Sequence, residues 1–310
     1  MAWIFLATFA QFLNAIVAVL DKYIVSDERA LPKPFVYAFY SALLTGSWLL
    51  IYLIGLLPGV ASWGVPTLAN VEPLTLEVLA LAFLSAYTAF FSLVSMFDAL
   101  KHGDASNVMP VIGAVSAITT FALNYLLLNT TLAENFIWGV ATLAIGTLLV
   151  AQTLPEVQQI FRVVHSGIFF GLHFVTMKGL FDTTSFDDGF FWSRAALLLF
   201  ALSLLLVPAY WEKIRGQTGQ TSTQTGALVI GTKIVAGVAA FLLLKATDWG
   251  DVAVVQALDG VKFVFILILT TLFGQLLPKS VADRDQRPRE VLRKFCYVAL
   301  IATGFFLLFT

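Results

Sequence analysis

VVQALDGVKFVFILI, residues 254–268, is apolar enough to lie in hydrocarbon, yet its first half holds Gln256, Asp259 and Lys262. A charge held at mid-bilayer costs roughly 2.5–3.5 kcal/mol on the insertion scale unless it faces a partner or water. Whether this run is a membrane helix therefore decides both the fold and where the chemistry lies. The composition favours the membrane. Of 310 residues 59% are hydrophobic and only 12% charged, with a mean hydropathy of +0.88. A soluble domain of this size needs more charge to cover its surface.

Other classes fall away on the same counts. A net charge of −1 gives no basic balance for nucleic acid. A single cysteine, Cys296, allows no internal disulfide, and His102, His165 and His173 lack the spacing of a zinc site. The composition implies no cofactor and no metal. The N-terminal run MAWIFLATFAQFLNAIVAVL has no basic leader, so it reads as a first span of the mature protein.

A helix needs about 20 apolar residues to cross the hydrocarbon. On that rule ten spans are expected: 2–25, 34–57, 77–100, 105–128, 133–153, 159–181, 187–210, 225–247, 251–274 and 291–309. Short connections make neighbours antiparallel. The ten divide into five plus five at TLPEVQQIFR, giving domains 1–153 and 158–310 with a linker at 154–157. The halves echo each other. GDASNVMPVIG starts at Gly103 and GDVAVVQALDG at Gly250, each reaching a second glycine, Gly113 and Gly260. Lys22 and Lys178 each close the first span of a half, and AFYSALL (38–44) and WSRAALL (192–198) open the second spans. An odd number of spans per half inverts the second copy, as in many secondary transporters.

FDALKHGDASNVMPVIGAVSAITTFALNYLLL (97–128), followed by WGVATLAIGTLLVA (138–151), resembles the drug/metabolite transporter superfamily, specifically its EamA-like ten-helix members. Pro110 takes the place of that family's central fourth-helix proline, and Gly139 and Gly146 take those of its fifth-helix glycines. LNAIVAVLDKYIV (13–25) is similar to the family's first helix. Two departures stand out. NTTL (129–132) occupies the place of a Gly-Glu pair, and Ala257 stands where a ninth-helix proline would match Pro110. The resemblance implies two inverted five-helix repeats around a central cavity, moving small metabolites by alternating access.

Connections 1–2, 3–4, 5–6, 7–8 and 9–10 hold thirteen Lys and Arg residues, from Lys22 to Lys294, whereas the other connections hold only Lys178 and Lys245. The positive-inside rule then puts the odd connections in the cytoplasm and both termini outside; the family's habit is both termini inside. Trp3, Trp48, Trp63, Trp138, Trp211 and Trp249 fall near span ends and read as interface anchors. Asn129 heads a glycosylation tripeptide.

Four charges fall within spans of the second half: Arg194, Lys233, Asp259 and Lys262. Facing lipid they would together cost on the order of 10–14 kcal/mol, so they must face one another or water. Gln256, Asp259 and Lys262 step by three and share one helix face. With Asp259 as the single acid, the site carries two excess positive charges, which would attract a carboxylate or phosphate. The alternative reading makes Asp259 a structural partner of Lys262 or Lys233, with Arg194 snorkelling to the interface near Asp187 and Asp188.

Asn107 beside the expected helix break at Pro110, Asn14 and Tyr40 are further candidates for the wall, and His173 and Asp259 for proton coupling. The expectation is a multi-pass protein of the cell or inner membrane. It carries a small anionic or carboxylate-bearing solute, amino acids included, with the bilayer as a further partner; a homodimer is open beside a single copy. An exporter of neutral or cationic solutes is the alternative. An intramembrane enzyme is disfavoured, because neither HExxH nor GxSxG occurs. A channel would favour symmetric rings or a filter segment.

Overall fold

A computed structural model describes residues 2–26, 31, 33–60, 65–103, 105–127, 134–150, 157–218, 221–272 and 288–307. Asn129, Trp63 and residues 154–156 of the expected linker lie outside them. Among the described residues the chain is all helical. The helices are α1 (Ala2–Ser26), α2 (Pro34–Gly46), α3 (Ile51–Ile54), α4 (Leu76–His102), α5 (Ala105–Leu127), α6 (Glu134–Val150) and α7 (Val157–Thr183). They continue with α8 (Phe186–Ser203), α9 (Pro208–Thr218), α10 (Thr223–Trp249), α11 (Val252–Ala257), α12 (Asp259–Leu272) and α13 (Pro288–Leu307). A 3-10 stretch, Ser47–Leu50, joins α2 to α3.

Seven helical stretches among the described residues are long and apolar enough to cross a membrane: Ala2–Ser26, Pro34–Ile54, Leu76–His102, Asn107–Leu127, Gln158–Thr183, Phe186–Leu206 and Thr223–Trp249. These match seven of the ten expected spans. The remaining three are helical but differ in kind. α6 has 17 residues, α11 and α12 split the ninth span into 6 and 14, and α13 carries Arg289, Arg293 and Lys294 near its start.

Local chemistry sets the ends. Thr75, Ser185 and Ser222 accept hydrogen bonds from Val78 N, Asp188 N and Thr225 N, capping α4, α8 and α10. Asp251 caps α11 through Ala253 N (2.7 Å) and Val254 N (3.2 Å). Gly103 and Gly250 close α4 and α10 in the same way. Each has extended backbone, and each N–H donates to a carbonyl four residues back at 2.9 Å.

The helices pack with small residues between them, as lipid supplies no hydrophobic drive for association. α4 lies along α7, α1 along α10, and α6 along α13. Large apolar side chains such as Phe5, Leu76 and Leu206 point outward, while Gln11, Asp21, Ser92 and Lys233 are buried. This inside-out distribution is the arrangement a bilayer solvent selects.

Two lysines lock helix ends. Lys22 Nζ donates to the carbonyls of Leu100 (2.7 Å) and Gly103 (2.8 Å) where α4 ends. Lys178 Nζ donates to Asp248 O (3.2 Å) near the end of α10 and pairs with Asp182 at 3.0 Å. A cation at a helix C-terminus meets the negative end of the dipole. Replacing Lys22 by methionine is expected to lower stability by about 1.5–3 kcal/mol, the range for hydrogen bonds to charged groups. Thermal unfolding in detergent reads the loss, and an unchanged midpoint would show that the two bonds contribute nothing.

Candidate functional site

Helical spacing places the cavity wall. On α1, Asn14, Val17, Ala18 and Asp21 fall on one face; on α10, Lys233, Ala236 and Ala240 do the same. Arg194 comes from α8, His173 from α7, Ser116 from α5, and Asp259 with Lys262 from α12. Together they enclose a space of about 210 Å³. That is below the roughly 300–1,000 Å³ of sites for drug-sized ligands, so the space suits a small molecule.

Two ion pairs line it. Lys233 Nζ lies 2.8 Å from Asp21 Oδ1, with both side chains 4% exposed. The Tyr37 hydroxyl donates to the same carboxylate oxygen, and the ammonium sits 4.4 Å from the Tyr37 ring centroid and 5.0 Å from that of Phe97. The second pair is Lys262 with Asp259, at 2.6 Å and one helical turn apart. Arg194 differs from both lysines. It is 4% exposed and stacks 5.2 Å from the Phe190 ring. Its Nε has no hydrogen-bond partner, and it enters no ion pair among the described residues. The wall therefore carries Arg194, Lys233 and Lys262 against Asp21 and Asp259, one formal positive charge in excess.

Polar neighbours add unspent capacity. Gln256 Oε1 accepts from Ser116 Oγ at 3.1 Å while its buried Nε2 has no partner among the described residues. His173 Nδ1 lies 3.1 Å from both Ser85 Oγ and Ser85 O, so its orientation is set by α4. Asn14 Nδ2 donates to Gln11 Oε1 at 3.2 Å. Among the described residues no cluster of His, Cys, Asp and Glu could hold a metal.

The structure gathers Asn14, His173, Arg194, Lys233, Gln256, Asp259 and Lys262 from the sequence reading around one cavity. It leaves out Tyr40 and Asn107. Tyr40 packs into the apolar core, its ring 5.2 Å from that of Phe39, and Asn107 sits in the first turn of α5, close to the helix end. The charge excess is one and not two, because Asp21 joins the wall. Asp21 stands beside Lys22 near the end of α1 and so reads as a boundary residue; an acid that falls inside α1 right after the uncharged run 2–20 was the available signal. Nor does Arg194 reach the interface. Asp187 and Asp188 are engaged by the 67–72 loop instead: Asn70 Nδ2 and Thr67 N donate to Asp187, and Glu72 N donates to Asp188.

The expected helix break at Pro110 is also corrected. α5 runs through Pro110, whose missing N–H falls near the helix start and removes one intrahelical bond. The interruption lies in the span without proline, at Leu258 between α11 and α12, where Val261 N donates to Leu258 O in a tight i→i+3 bond of 3.0 Å. Asp259 thus opens a new helix, in whose first turn a carboxylate is favoured. Across from it, a Cβ on Gly113 would lie 2.6 Å from Asp259 Oδ2 and 2.9 Å from Phe263 Cζ. Gly113→Ala is expected to push Asp259 off Lys262 and lose about 1–3 kcal/mol, the usual cost of overpacking. A thermal midpoint equal to wild type would refute that close approach.

No family model matches the sequence, and no curated protein matches it. Solved structures do: 27 chains match. One of them, described only as "Crystal structure of protein", has a TM-score of 0.63 and 17% identity over 97% of this chain and 96% of its own. At that identity the likeness is one of fold alone. Fold and site together define a chain that, among the described residues, is all helical, with seven helices able to cross a membrane and a buried, charge-lined cavity between them.

Proposed function

We propose that the protein is a secondary transporter of the EamA-like drug/metabolite type, carrying a small anionic or carboxylate-bearing solute by alternating access. The observation that carries this reading is Arg194, a buried guanidinium on the cavity wall with no acid beside it among the described residues. A buried charge left without a partner is costly, so it calls for a partner that comes and goes. Its planar fork fits a carboxylate. A cation is less well served, because Asp21 and Asp259 each already hold a lysine at 2.8 and 2.6 Å.

On this reading the chain has ten spans in two inverted five-helix repeats, with α11 and α12 forming one broken span. Helix pairing supports it. Exchanging each helix for its counterpart five spans on turns the α4–α7 contact into the α10–α1 contact, and maps α6–α13 onto itself. The Lys22 and Lys178 bonds exchange likewise, as do Gly103 near Gln159 and Gly250 against Trp3. Broken spans near the substrate are a feature of inverted-repeat transporters.

Thermal-shift measurement on the purified protein, with organic anions, amino acids, sugars, nucleotide sugars and organic cations, tests the reading. A ligand bound only by the folded state at a hundredfold excess over Kd stabilises by about 2.7 kcal/mol. Anions should stabilise the wild type and not Arg194→Met. Stabilisation by cations alone would overturn the anion preference.

A further inference from the structure

Lys233 borders a second void. A groove of about 350 Å³ runs between the α2–α3 stretch and α10, walled by Leu44, Trp48, Leu50, Ile230 and Ile234, with Lys233 at its buried end. Leu50, Ile230 and Ile234 are 64, 51 and 57% exposed, so in a membrane the mouth of this groove opens on acyl chains. Trp48 closes its inner part. Its indole occupies the space a Cβ on Gly237 would need, and Gly237 follows Ala236 of the central cavity wall. The helix carrying Trp48 tightens to 3-10 over Ser47–Leu50 at this point, and mid-helix 3-10 stretches often mark hinges. Trp48 thus stands between the groove and the Gly237 turn of α10, next to the central cavity wall.

The two voids are chemically unlike. The central one holds Arg194, a cation with no acid partner among the described residues, while the groove is apolar except for Ser47 and Lys233. Lys233 turns its ammonium to Asp21, which leaves its methylene stem for the groove. We propose that the groove is a lateral portal and tail site: the ligand is a monoanion with an apolar tail, its head on Arg194 and its tail lying past the Lys233 stem, admitted when Trp48 swings off Gly237. This rests on reading the central cavity as an anion site. The central space of about 210 Å³ takes the head and few further atoms, and the adjoining groove supplies the room a tail needs.

The test reconstitutes the protein in liposomes with a long-chain fatty acid carrying a diazirine at its tail, and maps photolabelled residues by mass spectrometry. Labelling is expected on the groove segments 44–54 and 230–237, competed by excess butanoate. It should fall roughly tenfold or more in Arg194→Met, the scale of a lost charge-assisted contact. Butanoate competition in the wild type needs no variant to fold. Groove labelling indifferent to both butanoate and Arg194→Met would mean that an ordinary membrane chain fills the groove, and would overturn the proposal. If butanoate raises thermal stability but no label reaches the groove, the portal fails and the anion site stands. If butanoate neither stabilises nor competes, the anion site itself fails, and the portal with it.

Discussion

Arg194→Met is expected to abolish anion binding while leaving the unliganded protein as stable as wild type or more so. Truncating one member of a buried, hydrogen-bonded charge pair costs about 2–5 kcal/mol of affinity, or roughly 30-fold to several-thousand-fold in Kd. The stability effect runs the other way. Among the described residues Arg194 is a buried cation with an unpartnered Nε, and replacing such a charge with an apolar side chain of similar length removes a desolvation cost. Arg194→Lys should fall between, since it keeps the charge but loses the fork. Titration of a stabilising carboxylate against the three proteins, with ligand-free melting beside it, checks both halves. A variant that loses stability and keeps affinity would make Arg194 a structural residue.

The second large effect concerns Asp21 and Lys233. Either single replacement, Asp21→Leu or Lys233→Met, leaves one buried charge alone and should cost about 3–5 kcal/mol. The double replacement should recover most of that loss, because a buried ion pair exchanged for apolar groups is often neutral. Tyr37→Phe removes only the hydroxyl that donates to Asp21, and should cost less, about 1–3 kcal/mol. Additive losses in the double variant, read from melting curves in detergent, would show that the two residues do not act as a pair.

Much of the site was legible because charge in an apolar run is rare and costly. Gln256, Asp259 and Lys262 betray themselves by their three-residue steps, and Arg194 and Lys233 by lying deep within their runs. Asp21 escaped because a lysine follows it, and adjacent opposite charges near a helix end look like a solvated boundary. The bond of Lys22 to the end of α4 is tertiary, and one residue's neighbours in sequence carry no trace of it. The helix runs were readable from hydropathy, but their interior irregularities were not. Proline carries a warning of a break, yet α5 absorbs Pro110 at the cost of one intrahelical bond, whereas at Leu258 the local sign of the interruption is only the Asp259-Gly260 dipeptide that follows. Seven of the ten expected spans are long and apolar enough to stand alone as crossings. The other three are short, split or charged at one end, and their status depends on neighbours that hydropathy does not see.

The loop at 67–72 has a bearing on how such a molecule could move. Asn70 and the backbone of Thr67 and Glu72 bond it to Asp187 and Asp188, Trp192 Nε1 donates to Glu72 O, and beside it the Tyr52 hydroxyl of α3 donates to Asp187 O. These bonds stitch the far end of α3 to the near end of α8. A seam stitched in this way behaves as the spine of a book. Whatever angle the covers take, the spine holds, so the end of α3 and the start of α8 would travel together.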